Sequence, residues 1–489
     1  MRHLAMLPFL ALACGPVEVV VLPLAGGGGP GDCSSQISYI DADGDGFGDS
    51  TTAQVGCPEG GRIADGGDCD DQDPTIRPGA EERCNLIDDD CDPQTTELGL
   101  TYVDGVRVDD LNAALQGAGR TTEVQICGGE HDLAPLDVPD SVDTLTILGI
   151  HPSLATAVAS TGEPFAPGFQ GNLVLQDLTL RDLYFYDQGG TDIHIEDARL
   201  VGTLFADQTS AGEITLFHID AEPGVQVQLA GPRVVTLGDV NLGGAEYVIV
   251  LAVDRIQGSG LTVVSEAGAV PMLQLGAGDR SGLGAIELVD LKTRGADVTI
   301  QGRGQVSNSL VVDGEITLRP GDGFRFTGTS FIGETGMELD LRPFESRRDT
   351  RVVDLTVQGN TEATLAGGEG NLTLSALTVD GLDGRIHIRD EVAIQRSTLR
   401  DNIAPEGLVN VRPGAVLTVS DSVVTGNRVA SGGAFNLLED TWLQLISVDV
   451  GRGDQRNTRV DVSGVNDLWW DGEGVVNAIC SGDGACFSR

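Results

Sequence analysis

The 489-residue chain is almost without lysine: Lys292 is the only one. Lysine and arginine together number 30 against 74 aspartates and glutamates, a formal net charge of −44. A chain with so little positive charge cannot displace counterions from phosphates, which excludes nucleic acid as a partner. The same balance excludes docking on an anionic membrane surface, so a membrane is reachable only through a lipid anchor. Divalent cations are the partners that such a charge attracts. Aromatic residues are only 4% of the sequence while glycine contributes 68 residues, which fits a stack of short turns better than one bulky core. No run of eighteen or more apolar residues is present, so no transmembrane helix is expected.

What the chain does have begins with nine cysteines: Cys14, Cys33, Cys57, Cys69, Cys84, Cys91, Cys127, Cys480 and Cys486. Cys14 ends an apolar run from Leu4 to Ala13 after a single Arg2. Residues 1–14 thus read as a short signal peptide with a lipobox, in which Cys14 is lipidated, although Ala11 stands where such boxes prefer leucine. Simple secretory cleavage is the alternative, and both readings export the protein, either to the outer-membrane-anchored cell surface or as a secreted form. The eight remaining cysteines, an even number, suit disulfides in an oxidising compartment. Spacing does not fix their pairing. Cys84–Cys91 and Cys57–Cys69 are local options that would leave Cys33 to reach Cys127.

Residues 15–32, ending in a glycine run, read as a flexible linker. Residues 33–97 form an acidic block with seventeen Asp and Glu between 41 and 97 against Arg62, Arg77 and Arg83. Like charge at that density does not fold by burial alone, so something must neutralise it. Within the block Asp41, Asp43, Asp45 and Asp49 fall at relative positions 1, 3, 5 and 9, with Gly46 at position 6. That spacing matches the start of a calcium loop, in which Gly46 permits the sharp turn and the Phe47 carbonyl supplies position 7. The bidentate glutamate of position 12 is missing, and Thr52 stands there. The remaining oxygens must come from two later acidic stretches, Gly67-Asp68-Cys69-Asp70-Asp71-Gln72-Asp73 and Asp88-Asp89-Asp90-Cys91-Asp92. Zinc would want paired Cys-x-x-Cys spacing, which the block lacks.

From Tyr39 to Asp92 the arrangement, including Pro78-Gly79-Ala80-Glu81-Glu82 and four cysteines in register, resembles the bacterial MopE-type metal-binding-motif surface proteins. Pro93 departs from the glycine usual there. The resemblance implies a metal site formed by Asp41, Asp43, Asp45, Asp49, Asp68, Asp70, Asp73, Glu82, Asp88, Asp90 and Asp92. One relative is associated with copper, but the block contains no His and no Met, and oxygen-only donors favour calcium, roughly one to three ions.

Beyond residue 98 the texture changes. Asp109–Gln116 reads as a short amphipathic helix capping the repeats that begin after it. A repeated apolar–polar–apolar triplet then recurs, centred on Thr146, Thr179, Arg199, Asp220, Asn241, Thr262, Lys292, Val311, Ser330, Thr356, Thr378, Thr398, Val423 and Val448. Steps of 20, 21, 21 and 21 residues separate the centres from Thr179 to Thr262. This period predicts an all-β solenoid, a right-handed parallel β-helix over 98–466 of about fourteen coils and about 65 Å. Steps of 30 residues before Lys292 and 33 before Thr179 predict projecting loops. The stretch Val423 to Phe435, with Gly426-Asn427 and Gly432-Gly433-Ala434, is similar to the polymorphic outer-membrane-protein repeats. Residues 467–489, with Asp467-Leu-Trp-Trp470 and a Cys480–Cys486 pair, are expected to close the far end.

Two features of the rod invite a functional reading. His194-Ile-Glu196 and His218-Ile-Asp220 lie 24 residues apart, about one coil. In register they would form a metal or catalytic patch; otherwise they are exposed strand residues. Asn402 and Asn427 occupy comparable points of their coils and predict an inward amide ladder or left-handed turns. No NTD, GHG or RIK triplet of the β-helix polysaccharide enzymes is present. The expected function is therefore a non-catalytic, calcium-binding surface protein with a structural, adhesive or glycan-binding role toward a surface polysaccharide or protein. A polysaccharide lyase or hydrolase is the alternative.

Overall fold

The computed structural model describes residues 35–479 except 86, 96–98, 151–154, 159–162, 187–189, 208–211, 266–269, 280–281, 345–348, 432, 439, 451–456, 460–461, 466–467 and 471–474. Contacts divide the chain into two compact units that meet in sequence at Thr96 and Glu97. Strands make up 59% of the structure and helix 1%, so the fold is all-β.

The first unit is a small sheet hung with loops. Its strands β1 (Ile37–Ile40), β2 (Gly48–Val55), β3 (Arg62–Ile63) and β4 (Gly66–Asp68) lie in the order β3-β1-β2-β4. β1 and β2 are antiparallel, with Ile37 opposite Val55, and the 41–47 loop joins them. Below the sheet, residues 68–80 run beside residues 88–91: the Arg77 amide donates to the Asp89 carbonyl at 2.8 Å and that of Gly79 to the Asp90 carbonyl at 3.3 Å. This return brings Cys69 to Cys91, 22 residues away, and the two form a disulfide. Both local options, Cys57–Cys69 and Cys84–Cys91, are therefore overturned. The residues on either side of Cys84 instead hold the Asp89 carboxylate, which accepts from the Arg83 amide at 2.9 Å and the Asn85 side chain at 3.2 Å. Cys57, Cys84 and Cys127 are disulfide-bonded as well. Cys14, Cys33, Cys480 and Cys486 lie outside the described residues.

The second unit is a β-solenoid of about 16 turns, two more than the triplet count gave. Its N-terminal end is covered by β5 (Thr101–Val103), antiparallel to both β6 (Val106–Val108) and β7 (Thr121–Ile126), and by α1 (Leu111–Leu115). The Asp110 side chain caps α1 by accepting from the Ala113 amide at 3.0 Å, and Leu115 is fully buried. The expected helix is thus present but is joined by a hairpin that the sequence did not announce.

Each coil then contributes strands to three parallel faces. On the first face, residues 172–176 pair with 192–196, and those with 213–217. The inward positions stack aliphatic on aliphatic, Leu173 on Ile193 on Ile214 and Leu175 on Ile195 on Leu216, so that each coil buries its neighbour's core face. The second face is the triplet of the sequence: Thr179, Arg199, Asp220, Asn241, Thr262 and Lys292 are successive partners. Three centres depart from it. Thr146 sits on the first face opposite Val174, Leu310 rather than Val311 is the partner of Lys292, and Asp449 rather than Val448 bridges to Val423. The corner from the first to the second face turns on a left-handed residue, among others Asp177, Asp197, His218 and Asp239, and later Asp354, Ala376, Arg396 and Asp421. Asp dominates there because its short polar side chain tolerates that conformation better than other L residues.

Candidate metal centre

In the 41–47 loop Asp41 accepts from the amides of Gly44 and Gly46 with its two oxygens, while Asp43 and Asp45 spend one oxygen each on the backbone. Asp43 Oδ1 accepts from the Asp45 amide at 3.1 Å, and Asp45 Oδ1 from the Phe47 amide at 2.8 Å. Asp68, at the end of β4, does the same with the Asp70 amide at 2.9 Å. These turns fix the carboxylates of Asp43, Asp45 and Asp68. Asp43, Asp45 and Asp68 each offer an oxygen within 4.8 Å of the other two, and Asp41, Asp43 and Asp71 form an overlapping group. Oδ2 of Asp43, of Asp45 and of Asp68 is buried and accepts no hydrogen bond. The Arg77 guanidinium stands 3.9 Å from Asp45 Oδ2 and lies over the Phe47 ring.

Such an arrangement is costly without a cation. Each pair of like charges at this separation repels by on the order of 3 kcal/mol at the effective dielectric of protein sites. Burial pushes the Asp43 carboxyl above its usual 3.8, opposed by the Asp45 amide and reinforced by the charges of Asp45, Asp41 and Asp71. Burial likewise raises Asp68, with Asp45, Asp43 and Asp71 adding to it. A divalent ion among these oxygens would remove both penalties.

A second group lies between residues 82 and 90. Glu82, Asp88 and Asp90 bring one oxygen each within 4.8 Å. Glu82 is 8% exposed, and burial raises its pKa against the opposing hydrogen bond from the Asp90 amide. Asp90 is held below the usual range by the hydroxyl of Thr95 and the amide of Asp92.

Seven of the eleven acidic positions read from the sequence thus fall in two clusters. The other four do not. Asp49 gives both oxygens to Thr51, at 2.7 Å each, and Asp73 accepts from the amide and hydroxyl of Thr75. Asp70 and Asp92 are in neither cluster. Asp71 is the ligand candidate that the sequence reading missed; the Asp70-Asp71 doublet gave no means of choosing between its members. Asp89 was also passed over, and its 1% exposure and its bonds from the Arg83 amide and the Asn85 side chain make it a framework residue.

Residues 68–97 match the family model described as "Putative metal-binding motif". This stretch carries that family's motif. The match begins at Asp68, so the 41–49 loop lies outside it, yet Asp68 completes that loop's cluster. No curated protein and no solved structure matches the chain.

On the rod, the His–acid triplets fall out of register. His194 is opposite Thr215 and Glu196 opposite Phe217, because the coil here is 21 residues and not 24. His194 pairs with its own Glu196 at 3.2 Å, while His218 occupies the corner between Asp197 (3.1 Å) and Asp239 (3.5 Å). A more enclosed charged group lies on the third face, on which 362–366 pair with 385–389: His387 Nε2 meets Glu362 at 3.2 Å and the Arg412 guanidinium at 3.5 Å. Burial first, and then the positive charge of Arg412, hold His387 below its usual range.

Proposed function

We propose that the N-terminal unit is a calcium-binding module of an exported surface protein, and that the rod is a binding or structural scaffold rather than an enzyme. The observation that carries the metal reading is the cluster of three carboxylates, each with a buried oxygen that has no hydrogen-bond donor. Asp43, Asp45 and Asp68 would hold the first ion, with Asp41 and Asp71 beside them, and Glu82, Asp88 and Asp90 a second. Oxygen-only donors suit a hard, flexible cation, and the lack of His and Met in the block weighs against copper. Bound calcium would neutralise the clusters and order the loops. Export is supported by the apolar leader with Cys14 and by the disulfides, which persist in oxidising compartments.

Calorimetric titration of the oxidised, metal-stripped protein with calcium tests this reading, beside an Asp43→Ala/Asp45→Ala control. Saturable heat that is lost or halved in the control is expected. Equal heat in both proteins, or none in either, would remove the 41–68 site. A polysaccharide lyase or hydrolase is the second reading, and the Glu362–His387–Arg412 group favours it; product release from an acidic glycan, abolished by His387→Ala, would establish it.

A further inference from the structure

The rod carries a local reversal of the chain's charge. A cavity of about 550 Å³, open at the edge of the first face, is lined by Arg325, Arg351 and Arg396 with Asp322 and Asp354. That volume falls in the range of small-molecule sites. The stacking register brings the arginines together. Arg325 is opposite Val353, Val353 opposite Ser375, and Ser375 opposite Gln395, the residue before Arg396. Arg351 is anchored within this column: its Nε donates to Ser375 Oγ at 3.1 Å and its amide to Asp322 Oδ1 at 3.0 Å. At the corner, Asp354, Ala376 and Arg396 succeed one another in neighbouring coils, and the short side chain of Ala376 leaves room between an acid and a guanidinium.

Several arginines elsewhere on the rod are tied to acids, as Arg294 is to Glu334, Arg385 to Glu362 and Arg400 to Asp380. Among the described residues Arg325 and Arg396 have no ion-pair partner. Their planar donor forks match an oxyanion, above all a carboxylate. Asp322 and Asp354 add acceptors at the rim, which an inorganic anion cannot use and a hydroxylated ligand can.

We infer that this cleft binds an acidic sugar unit, its carboxylate on the arginines and its ring hydroxyls on Asp322 and Asp354. The inference names the class of partner for the scaffold proposed above, and it rests on that reading only in taking the rod as a binding surface.

The test is calorimetric titration of the full oxidised protein with trigalacturonate, with a neutral trisaccharide of galactose, with sodium sulfate and with an Asp/Glu-rich peptide. Saturable binding of trigalacturonate alone is expected, weakened about tenfold by Arg396→Gln and by Arg325→Gln, as for loss of one charge-assisted hydrogen bond. Thermal melts confirm that both variants fold. The Asp43→Ala/Asp45→Ala protein should bind trigalacturonate as the parent does, so failure of the calcium reading leaves this result standing. No trigalacturonate binding overturns the inference. So does unchanged affinity in both arginine variants, or binding of sulfate or the peptide with equal strength.

Discussion

Asn402 lies directly beneath Asn427 inside the rod, its Nδ2 donating to Asn427 Oδ1 at 2.8 Å. Asn427 repeats the contact with Asn457 at 2.7 Å, and all three residues are at most 1% exposed. The Oδ1 atoms of Asn427 and Asn457 also accept the backbone amide of the asparagine in the coil before, while Asn402 and Asn427 donate to the carbonyls of Val379 and Leu399. The side chains therefore replace the strand hydrogen bonds that the corner interrupts. Asn427→Leu keeps the branched shape in a larger side chain but strands donors and acceptors on both neighbouring coils, each costing about 1–3 kcal/mol. The expected loss is about 3 kcal/mol or more in denaturant unfolding of the rod. A loss below about 1 kcal/mol would show that water replaces the amide.

Asp313 is a heavily bonded carboxylate of the rod. It accepts from the amides of Glu334, Thr335 and Gly336 and from the Thr335 hydroxyl, at 2.7–3.2 Å. Burial raises its pKa, but these four donors outweigh that and hold it below the usual 3.8. Because the folded value lies below the unfolded one, the stabilisation is present above about pH 4 and is lost as pH falls through the folded value. Asp313→Asn is therefore expected to cost about 1.5–3 kcal/mol at pH 7 and less at about pH 3. Urea midpoints of parent and variant at the two pH values measure the difference; an equal gap at both would assign the effect to shape and not to charge.

The period of the rod was legible because the second face alternates apolar and polar residues in nearly every coil. Where that alternation fails, at Leu310-Val311-Val312, nothing in the letters says which residue points outward, and the reading slipped by one position. Asn402 and Asn427 were legible as a ladder because they are polar at a buried point of the repeat. The alternating Asp41, Asp43 and Asp45 revealed one side of the cation cluster, since each caps the next turn. Asp68 and Asp71 come to it only through β4 and its return loop, a tertiary event without a local signature. The Cys69–Cys91 pairing was hidden for the same reason: it depends on two acidic segments lying side by side. The arginine cleft arises from residues 26 and 45 positions apart that only the stacking register unites.

The Cys69–Cys91 bond and the cation clusters constrain the same two segments, so they should substitute for one another in part. Closing a loop of 22 residues stabilises by about 3 kcal/mol. Calcium at about 100-fold above its Kd contributes about 2.7 kcal/mol per site. Cys69→Ser/Cys91→Ser is thus expected to unfold residues 39–95 in chelator, with most of the structure regained in millimolar calcium. Amide hydrogen exchange with and without chelator reads this directly. Persistent protection of the variant in chelator would mean that neither constraint holds the module, and equal loss across the rod would mean that the two units do not unfold separately.

The corner of the rod offers a converse test, in which a substitution should stabilise. Most corner residues are Asp, whose side chain offsets part of the left-handed strain by bonding locally. Ala376 adopts φ +59° with no polar group to do so. A left-handed alanine costs about 1–2 kcal/mol relative to glycine, while glycine gives back part of that through the freer unfolded chain. Ala376→Gly is therefore expected to raise stability by about 0.5–1 kcal/mol, read as a higher denaturant midpoint at unchanged slope. The same change at Asp239 should give less or reverse sign, because it also removes the carboxylate facing His218 at 3.5 Å. If both variants gained equally, backbone strain alone would govern the corner, and the contact between Asp239 and His218 of the neighbouring coil would contribute nothing.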